Sequence, residues 1–169
     1  MSVKFEGLDK VVANLNKEIA KRETKCQAGL VQAGLLIRAE SQKLTPVVTG
    51  NLRNSAYVVS SKGAHAGQGG RVQDPGSHVN VMNRSKGECQ TSASPMVIIG
   101  FSANYAIFVH ENPRAGKTGG VSLKGAVYKP EVGSGRIVYS TVGQWKFLEV
   151  ALKSNQRRIL SLIAGKAKQ

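Results

Sequence analysis

The sequence predicts a single α+β domain, in which a long N-terminal helix and a C-terminal helix pack on a small, mostly antiparallel sheet. Apolar residues recur at steps of three and four near both ends of the chain, as on one face of a helix. Short β-branched runs lie between them, separated by glycine-rich segments that predict loops or hairpins. The length of 169 residues and the hydrophobic content of 41% suit one folded domain, residues 1–169, with no internal repeat or linker.

The first element is a helix expected over residues 8–44. Its apolar face, with a gap at Arg22, consists of Leu8, Val11, Leu15, Ile19, Cys26, Leu30, Ala33, Ile37 and Leu44. At 1.5 Å per residue this helix reaches roughly 50 Å, more than a small domain needs, so we expect a neighbouring subunit to cover the excess. Gly29 and Gly34 mark either a bend or the close approach of another backbone.

The segment TPVVTGNLRNS, residues 45–55, is expected to end this helix and begin the sheet. Pro46 lacks a backbone donor and also disfavours the α region for Thr45. Gly50 allows a turn. The alternating side chains that follow predict a strand from Leu52 to about Ser61.

The middle of the chain alternates between glycine-rich and apolar segments. Residues 62–93 predict a long loop, or a projecting hairpin if a strand forms at Val79–Met82. A strand buried on both faces is expected over Ser94–Phe101. NYAIFVHE, residues 104–111, predicts a short helical turn or a strand.

A second glycine-rich stretch covers residues 112–136 and contains a candidate strand at Ala126–Tyr128. Another strand is expected at Ile137–Ser140, so that the sheet and its loops occupy residues 52–140. The last helix is expected over about residues 142–164. Its apolar face consists of Trp145, Leu148, Leu152, Ile159, Leu162 and Ile163.

The charge of the chain is strongly positive, with 24 Lys and Arg against 10 Asp and Glu and a formal net charge of +14. This excess indicates proximity to polyanions or to acidic proteins. Basic residues in the glycine-rich segments suit phosphate contacts without sequence reading, or else form a solvated basic surface. These residues are Arg71, Arg84, Lys86, Arg114, Lys117, Lys124, Lys129 and Arg136. The aromatic content of 5% gives no support for base stacking.

No catalytic residue, metal site or cofactor site is predicted. His110 and Glu111 lack the second histidine of a metallohydrolase helix, and Cys26 and Cys89 are too few for a disulfide framework or a zinc site. We expect Cys26 to be a buried thiol. The N-terminus has no signal-peptide core, and no apolar run reaches the ~18 residues of a membrane span. We therefore expect synthesis in the cytoplasm and no membrane association.

Three segments, in order, resemble the tail-completion, or head–tail joining, proteins of tailed bacteriophages. That family shows Pro, Thr-Gly, Leu-Arg and Ser in the first segment, Tyr-Ala with a His-Glu pair in the second, and Phe-Leu in the last helix. The matching residues are Pro46, Thr49, Gly50, Leu52, Arg53 and Ser55, then Tyr105, Ala106, His110 and Glu111, and finally Phe147 and Leu148. The two glycine-rich segments look longer than a minimal member needs.

The resemblance implies a structural virion protein at the head–tail interface, which forms a ring around the DNA channel and is not an enzyme. Implied partners are other copies of the chain in a hexamer or dodecamer, the connector, adaptor or stopper rings, and the tail tube or terminator. The genomic DNA passes close by.

The matched residues are then expected to hold the fold. Thr49 and Gly50 would make the turn, and Arg53 would pair with an acid or a carbonyl. Tyr105 and His110 would pack the short element on the sheet. Two alternatives are a free-standing, non-specific DNA-binding protein, whose binding falls steeply with salt, and a hydrolase using His110 and Glu111.

Overall fold

The computed structural model describes residues 7–47, 50–66, 72–113, 115 and 143–168. Within them the chain has an α+β fold with long N-terminal and C-terminal helical segments and a small antiparallel sheet. The helices are α1 (Leu8–Leu44), α2 (Asn51–Asn54), α3 (Pro75–Thr91), α4 (Ala106–Glu111), α5 (Phe147–Ser154) and α6 (Gln156–Lys168). The strands are β1 (Ala56–Ser60), β2 (Gly63–Ala66) and β3 (Val97–Phe101). The expected strands at Ala126–Tyr128 and Ile137–Ser140 lie outside the described residues.

Helix α1 has the predicted bounds and ends where Pro46 requires it to end. The next residue after α1, Thr45, has an extended backbone, and its hydroxyl donates to the carbonyl of Ser41 at 2.7 Å. That bond satisfies one of the carbonyls that a helix C-terminus leaves open. Thr45 and Ser41 are fully buried, so the end of α1 is fixed inside the fold.

The strand predicted from Leu52 begins four residues later, at Ala56. Residues Asn51–Asn54 instead form the single-turn helix α2, which Gly50 starts from a left-handed backbone with φ of 81°. The hydroxyl of Ser55 donates to the carbonyl of Leu52 at 2.8 Å and closes the turn. This turn buries Leu52.

The predicted loop, or Val79–Met82 strand, within residues 62–93 is wrong over Pro75–Thr91, which form helix α3. Asp74 caps the helix by accepting from the backbone of Ser77 at 3.0 Å, and Pro75 occupies the first turn. A hairpin does form before it, because β2 pairs antiparallel with β1.

The sheet has the order β2-β1-β3 and lies between α1 and α3. Val58 faces α1, where a methyl group on Gly34 would lie 2.9 Å from its Cγ1. Tyr57 and Val59 form a buried cluster with Cys89 of α3. All five residues of β1 are buried, whereas β3 is half-buried along its length and shorter than the predicted Ser94–Phe101. Half-burial of β3 follows from its place at an edge of the described sheet.

The single last helix predicted over residues 142–164 is two helices. They meet at Asn155, whose side-chain amide donates to the carbonyl of Ala151 at 2.9 Å. The pair runs back along α1, since Gln144 donates to Leu44 at 2.8 Å and Ile163 lies against Gly29. Gly29 therefore permits a close helix crossing, one of the two roles expected for it. Cys26, expected to be buried, is half-exposed.

We predict that Gly29→Ala destabilises the protein by about 1–3 kcal/mol through overpacking, because its methyl group would lie 2.9 Å from the Cα of Ile163. Chemical denaturation measures the change. The matched control is Gly87→Ala in α3, where a methyl group meets nothing within 4 Å. That control should gain up to about 1 kcal/mol of helix propensity. Equal gains in both variants would contradict the close crossing.

Candidate functional site

The three segments that carry the family resemblance meet at the end of the sheet where β1 begins and β3 ends. We call this meeting point the joint. It consists of Thr45–Pro46, Gly50–Ser55, Tyr105–Glu111 and Gly143–Leu148. The sequence places these segments up to about a hundred residues apart, and their contacts bring them together as follows.

The end of α1 and the start of α5 are in backbone contact. The amide of Gln144 donates to the carbonyl of Leu44 at 2.8 Å. Gly143 has a φ of 99°, and a Cβ there would lie 2.5 Å from the nitrogen of Pro46. Only glycine fits this position, for reasons both of conformation and of space. The sequence reasoning identified Pro46 but not Gly143.

Phe147 joins the second and third segments. Its side chain is 1% exposed and makes edge-on ring contacts with Phe101 at 5.0 Å and with His110 at 4.9 Å. The amide of Lys146 also donates to the carbonyl of His110 at 2.8 Å. The end of β3, helix α4 and the start of α5 thus share one packed centre.

Asn51 joins the first and second segments. Its amide donates to the hydroxyl of Tyr105 at 2.9 Å, and its side-chain oxygen accepts from the backbone of Gln73 at 2.7 Å. The amide of Ser102 donates to the carbonyl of Ser55 at 3.0 Å. Sequence reasoning missed Asn51, although an asparagine directly after Gly50 is a typical turn signal.

Arg53 does not make the predicted pairing within the described residues. Its carbonyl accepts from the side chain of Gln42 at 2.8 Å. Among the described residues, its buried Nε has no hydrogen-bond partner and its guanidinium forms no ion pair. Thr49, the turn residue expected beside Gly50, lies outside the described residues.

The remaining matched residues have packing or surface positions. His110 packs on Phe147, and its Nδ1 lies 2.7 Å from the carboxylate of Glu111, which is exposed. Ala106 and Leu148 are half-buried. Within the described ranges, no group of three His, Cys, Asp or Glu side chains is placed to hold a metal ion.

His78 is a further residue of this region that the sequence did not indicate. It lies in the first turns of α3, is 7% exposed, and has its Nδ1 2.5 Å from the hydroxyl of Ser102. Burial lowers the pKa of His78. Folding therefore favours the neutral form of this ring, which also packs edge-on against Tyr57.

The basic residues proposed for the loops divide into two groups. Arg84 and Lys86 lie on helix α3 rather than in a loop, and Arg84 is 3.5 Å from Glu88. The others lie outside the described residues; they are Arg71, Arg114, Lys117, Lys124, Lys129 and Arg136. Neither Arg84 nor Lys86 is part of the joint.

Comparison with known proteins adds no further assignment. No family model, curated protein or solved structure matches this chain. None of the helices in the described part combines the length and apolarity that a membrane span requires. The joint is therefore described by its own contacts, which pack the end of α1, the end of β3, helix α4 and the start of α5 together.

We predict that Phe147→Ala destabilises the protein by about 3–5 kcal/mol, because it leaves a cavity between Phe101 and His110. Phe147→Leu should cost clearly less, since it keeps most of the volume. Thermal and urea unfolding check both. Equal, small losses would mean that the joint is not the packed centre described above.

We also predict that stability falls as pH falls below about 6.5, the usual pKa of an unfolded histidine. Because the folded pKa of His78 is lowered, the unfolded chain binds this proton more readily, and stability is lost from about 6.5 down to the folded pKa. Urea unfolding at pH 7.5, 6.5 and 5.5 measures the effect. His78→Gln should reduce the loss across this window; an unchanged loss would assign it to other groups.

Proposed function

We propose that this protein is a structural subunit of the neck of a tailed bacteriophage. In this proposal copies of the chain form a ring that joins the head connector to the tail and surrounds the DNA channel. The neighbouring rings and the tail tube are its partners, and the virion is its location. The observation that carries the proposal is the half of α1 that the rest of the described fold leaves uncovered.

Residues Leu8–Lys25 of α1 are all exposed, over a length of about 27 Å. Five large apolar side chains lie on this half; we call them the α1 stripe. They are Leu8, Val11, Val12, Leu15 and Ile19, between 46% and 63% exposed.

The α1 stripe continues a face that is buried farther along the same helix. Val11, Leu15 and Ile19 each precede a buried residue by 18 positions, which is five helical turns. Those buried residues are Gly29, Ala33 and Ile37. The face that is buried in one half of the helix therefore continues as an apolar face in the other half, where nothing described covers it.

Exposure of this stripe is unfavourable for an isolated chain. Complete burial of one such side chain stabilises by about 1.5–3 kcal/mol, and each member here is about half-exposed. A half-helix with no tertiary packing of its own is also marginal in water. A partner surface that covers the stripe would supply both the burial and the support.

A second copy of the chain supplies such a surface. Ile107 and Phe108 of α4 are 65% and 75% exposed and lie beside each other on the body of the subunit. Contact between the α1 stripe of one copy and these two residues of the next is heterologous. A heterologous contact gives a ring when the rotation between copies closes, and an open filament when it does not. This geometry, together with the three resembling segments and the basic excess, supports the neck proposal.

We predict that Leu15→Gln/Ile19→Gln abolishes assembly and leaves the subunit folded, because both side chains are exposed in the single chain. Phe108→Gln should weaken assembly in the same assay. The matched control is Ala13→Gln/Ala20→Gln on the same exposed half-helix, where both residues lie about 100–160° around the axis from Leu15 and Ile19. Mass photometry measures particle mass, and circular dichroism verifies folding.

A wild-type protein that stays monomeric at micromolar concentration, with or without connector and tail proteins, would contradict the proposal. The net charge of +14 favours one other function, that of a free-standing DNA-binding protein. That function predicts duplex binding that the Leu15→Gln/Ile19→Gln change leaves unaltered and no assembly in the wild type.

A further inference from the structure

The outward side of α6 carries positive charge that the described fold does not neutralise. Residues 143–168 contain six basic side chains and one acid, Glu149. Glu149 is paired with Lys146 at 3.0 Å and with Lys153. The other four basic residues have no carboxylate partner among the described residues; they are Arg157, Arg158, Lys166 and Lys168.

Three of these four point away from the body of the protein. Ile163 marks the side of α6 that contacts α1, because Gly29 lies against its backbone. At 3.6 residues per turn, Arg157 and Lys168 lie about 120° and 140° around the helix from Ile163. Both are exposed, as is Arg158, whereas Lys166 is half-buried. We call Arg157, Arg158 and Lys168 the α6 basic face.

Helix stability does not explain the two arginines. The first turn of a helix favours carboxylates, because its free amides carry partial positive charge. The first turn of α6 has no acid and has Arg157 and Arg158 instead. Like charges placed side by side at this end cost free energy, which a negatively charged partner would recover.

We propose that the α6 basic face contacts the phosphate backbone of duplex DNA. From Arg157 to Lys168 the face is about 16 Å long, and duplex DNA carries one charge per about 1.7 Å of its axis. Guanidinium groups bind phosphate oxygens in pairs of hydrogen bonds, and such contacts read no sequence. The inference rests on the proposed neck function for the identity of this DNA as the packaged genome.

The α6 basic face is a helical contact in addition to those expected from the glycine-rich segments, most of whose basic residues lie outside the described residues. Arg84 is near Glu88 on α3, so its charge is partly compensated, whereas Arg157 and Arg158 have no such partner in the described part of the chain. An acidic protein surface is the other class of partner that the α6 basic face could bind. A measurement of duplex binding distinguishes it from DNA.

The test compares Arg157→Gln/Arg158→Gln with Arg84→Gln/Lys86→Gln, which removes the same formal charge from α3. Fluorescence anisotropy with a 30-base-pair duplex of random sequence is measured between 50 and 200 mM salt. The slope of log affinity against log salt is negative, and each lost phosphate contact reduces its magnitude by about 0.9. The loss of two arginine contacts in the α6 variant should therefore reduce the magnitude of the slope by about 1.8. The α3 variant should keep the wild-type slope to within about 0.5. Circular dichroism verifies that both variants fold.

Equal loss of slope in both variants would overturn the inference, because it would reflect net charge alone. An unchanged α6 variant, or no duplex binding by the wild type at 50 mM salt, would overturn it too; the latter leaves an acidic protein as the partner. Particle mass is recorded on the same samples. Intact rings with an unchanged α6 slope would mean that only this inference fails, whereas a monomeric wild type with the expected slope loss would mean that only the neck function fails.

Discussion

The burial of Phe147 is the interaction on which the rest of the structure depends. Its ring contacts Phe101 at the end of β3 and His110 in α4, and it is the first residue of α5. Edge-on aromatic pairs of this kind contribute about 0.5–1.5 kcal/mol beyond their buried area. Because α5 leads directly into α6, the position of Phe147 fixes where the helical pair starts along α1. The close approach of Ile163 to Gly29 then fixes where it ends.

These two fixed points divide α1 into a supported half and an exposed half. Between Leu44 and Gly29 the helix is covered by α5, α6 and the sheet. Before Lys25 it has no cover in the described structure, although the sequence keeps the same apolar face. Within the described residues nothing packs on this repeated apolar face. In the proposed neck, a neighbouring copy of the chain would cover it.

Sequence reasoning succeeded where one strong local signal decided the structure. The spacing of apolar residues and the stop at Pro46 were enough to give both ends of α1. It failed for α3, because two of the buried residues of this helix, His78 and Ser85, are polar and give no apolar periodicity. The glycines of this segment also suggest a loop. The joint is predicted only in part: the sequence indicates that residues 45–55 connect the long helix to the sheet. The contacts that assemble it depend on Asn51 and Gly143, whose partners are distant in sequence and become visible only in the fold.

In the proposed neck, electrostatics would connect assembly to DNA. Most described carboxylates interact with groups of the same chain. Asp74 caps α3, and the others form ion pairs with nearby Lys or Arg side chains; they are Glu18, Glu40, Glu88 and Glu149. The exposed basic residues of the described part would therefore repel other copies of the chain. The proposed ring would concentrate this charge, so burial of the α1 stripe would have to outweigh the repulsion. Phosphates along the α6 basic face would reduce the same repulsion. In the proposed neck, the DNA would thus stabilise the ring that surrounds it.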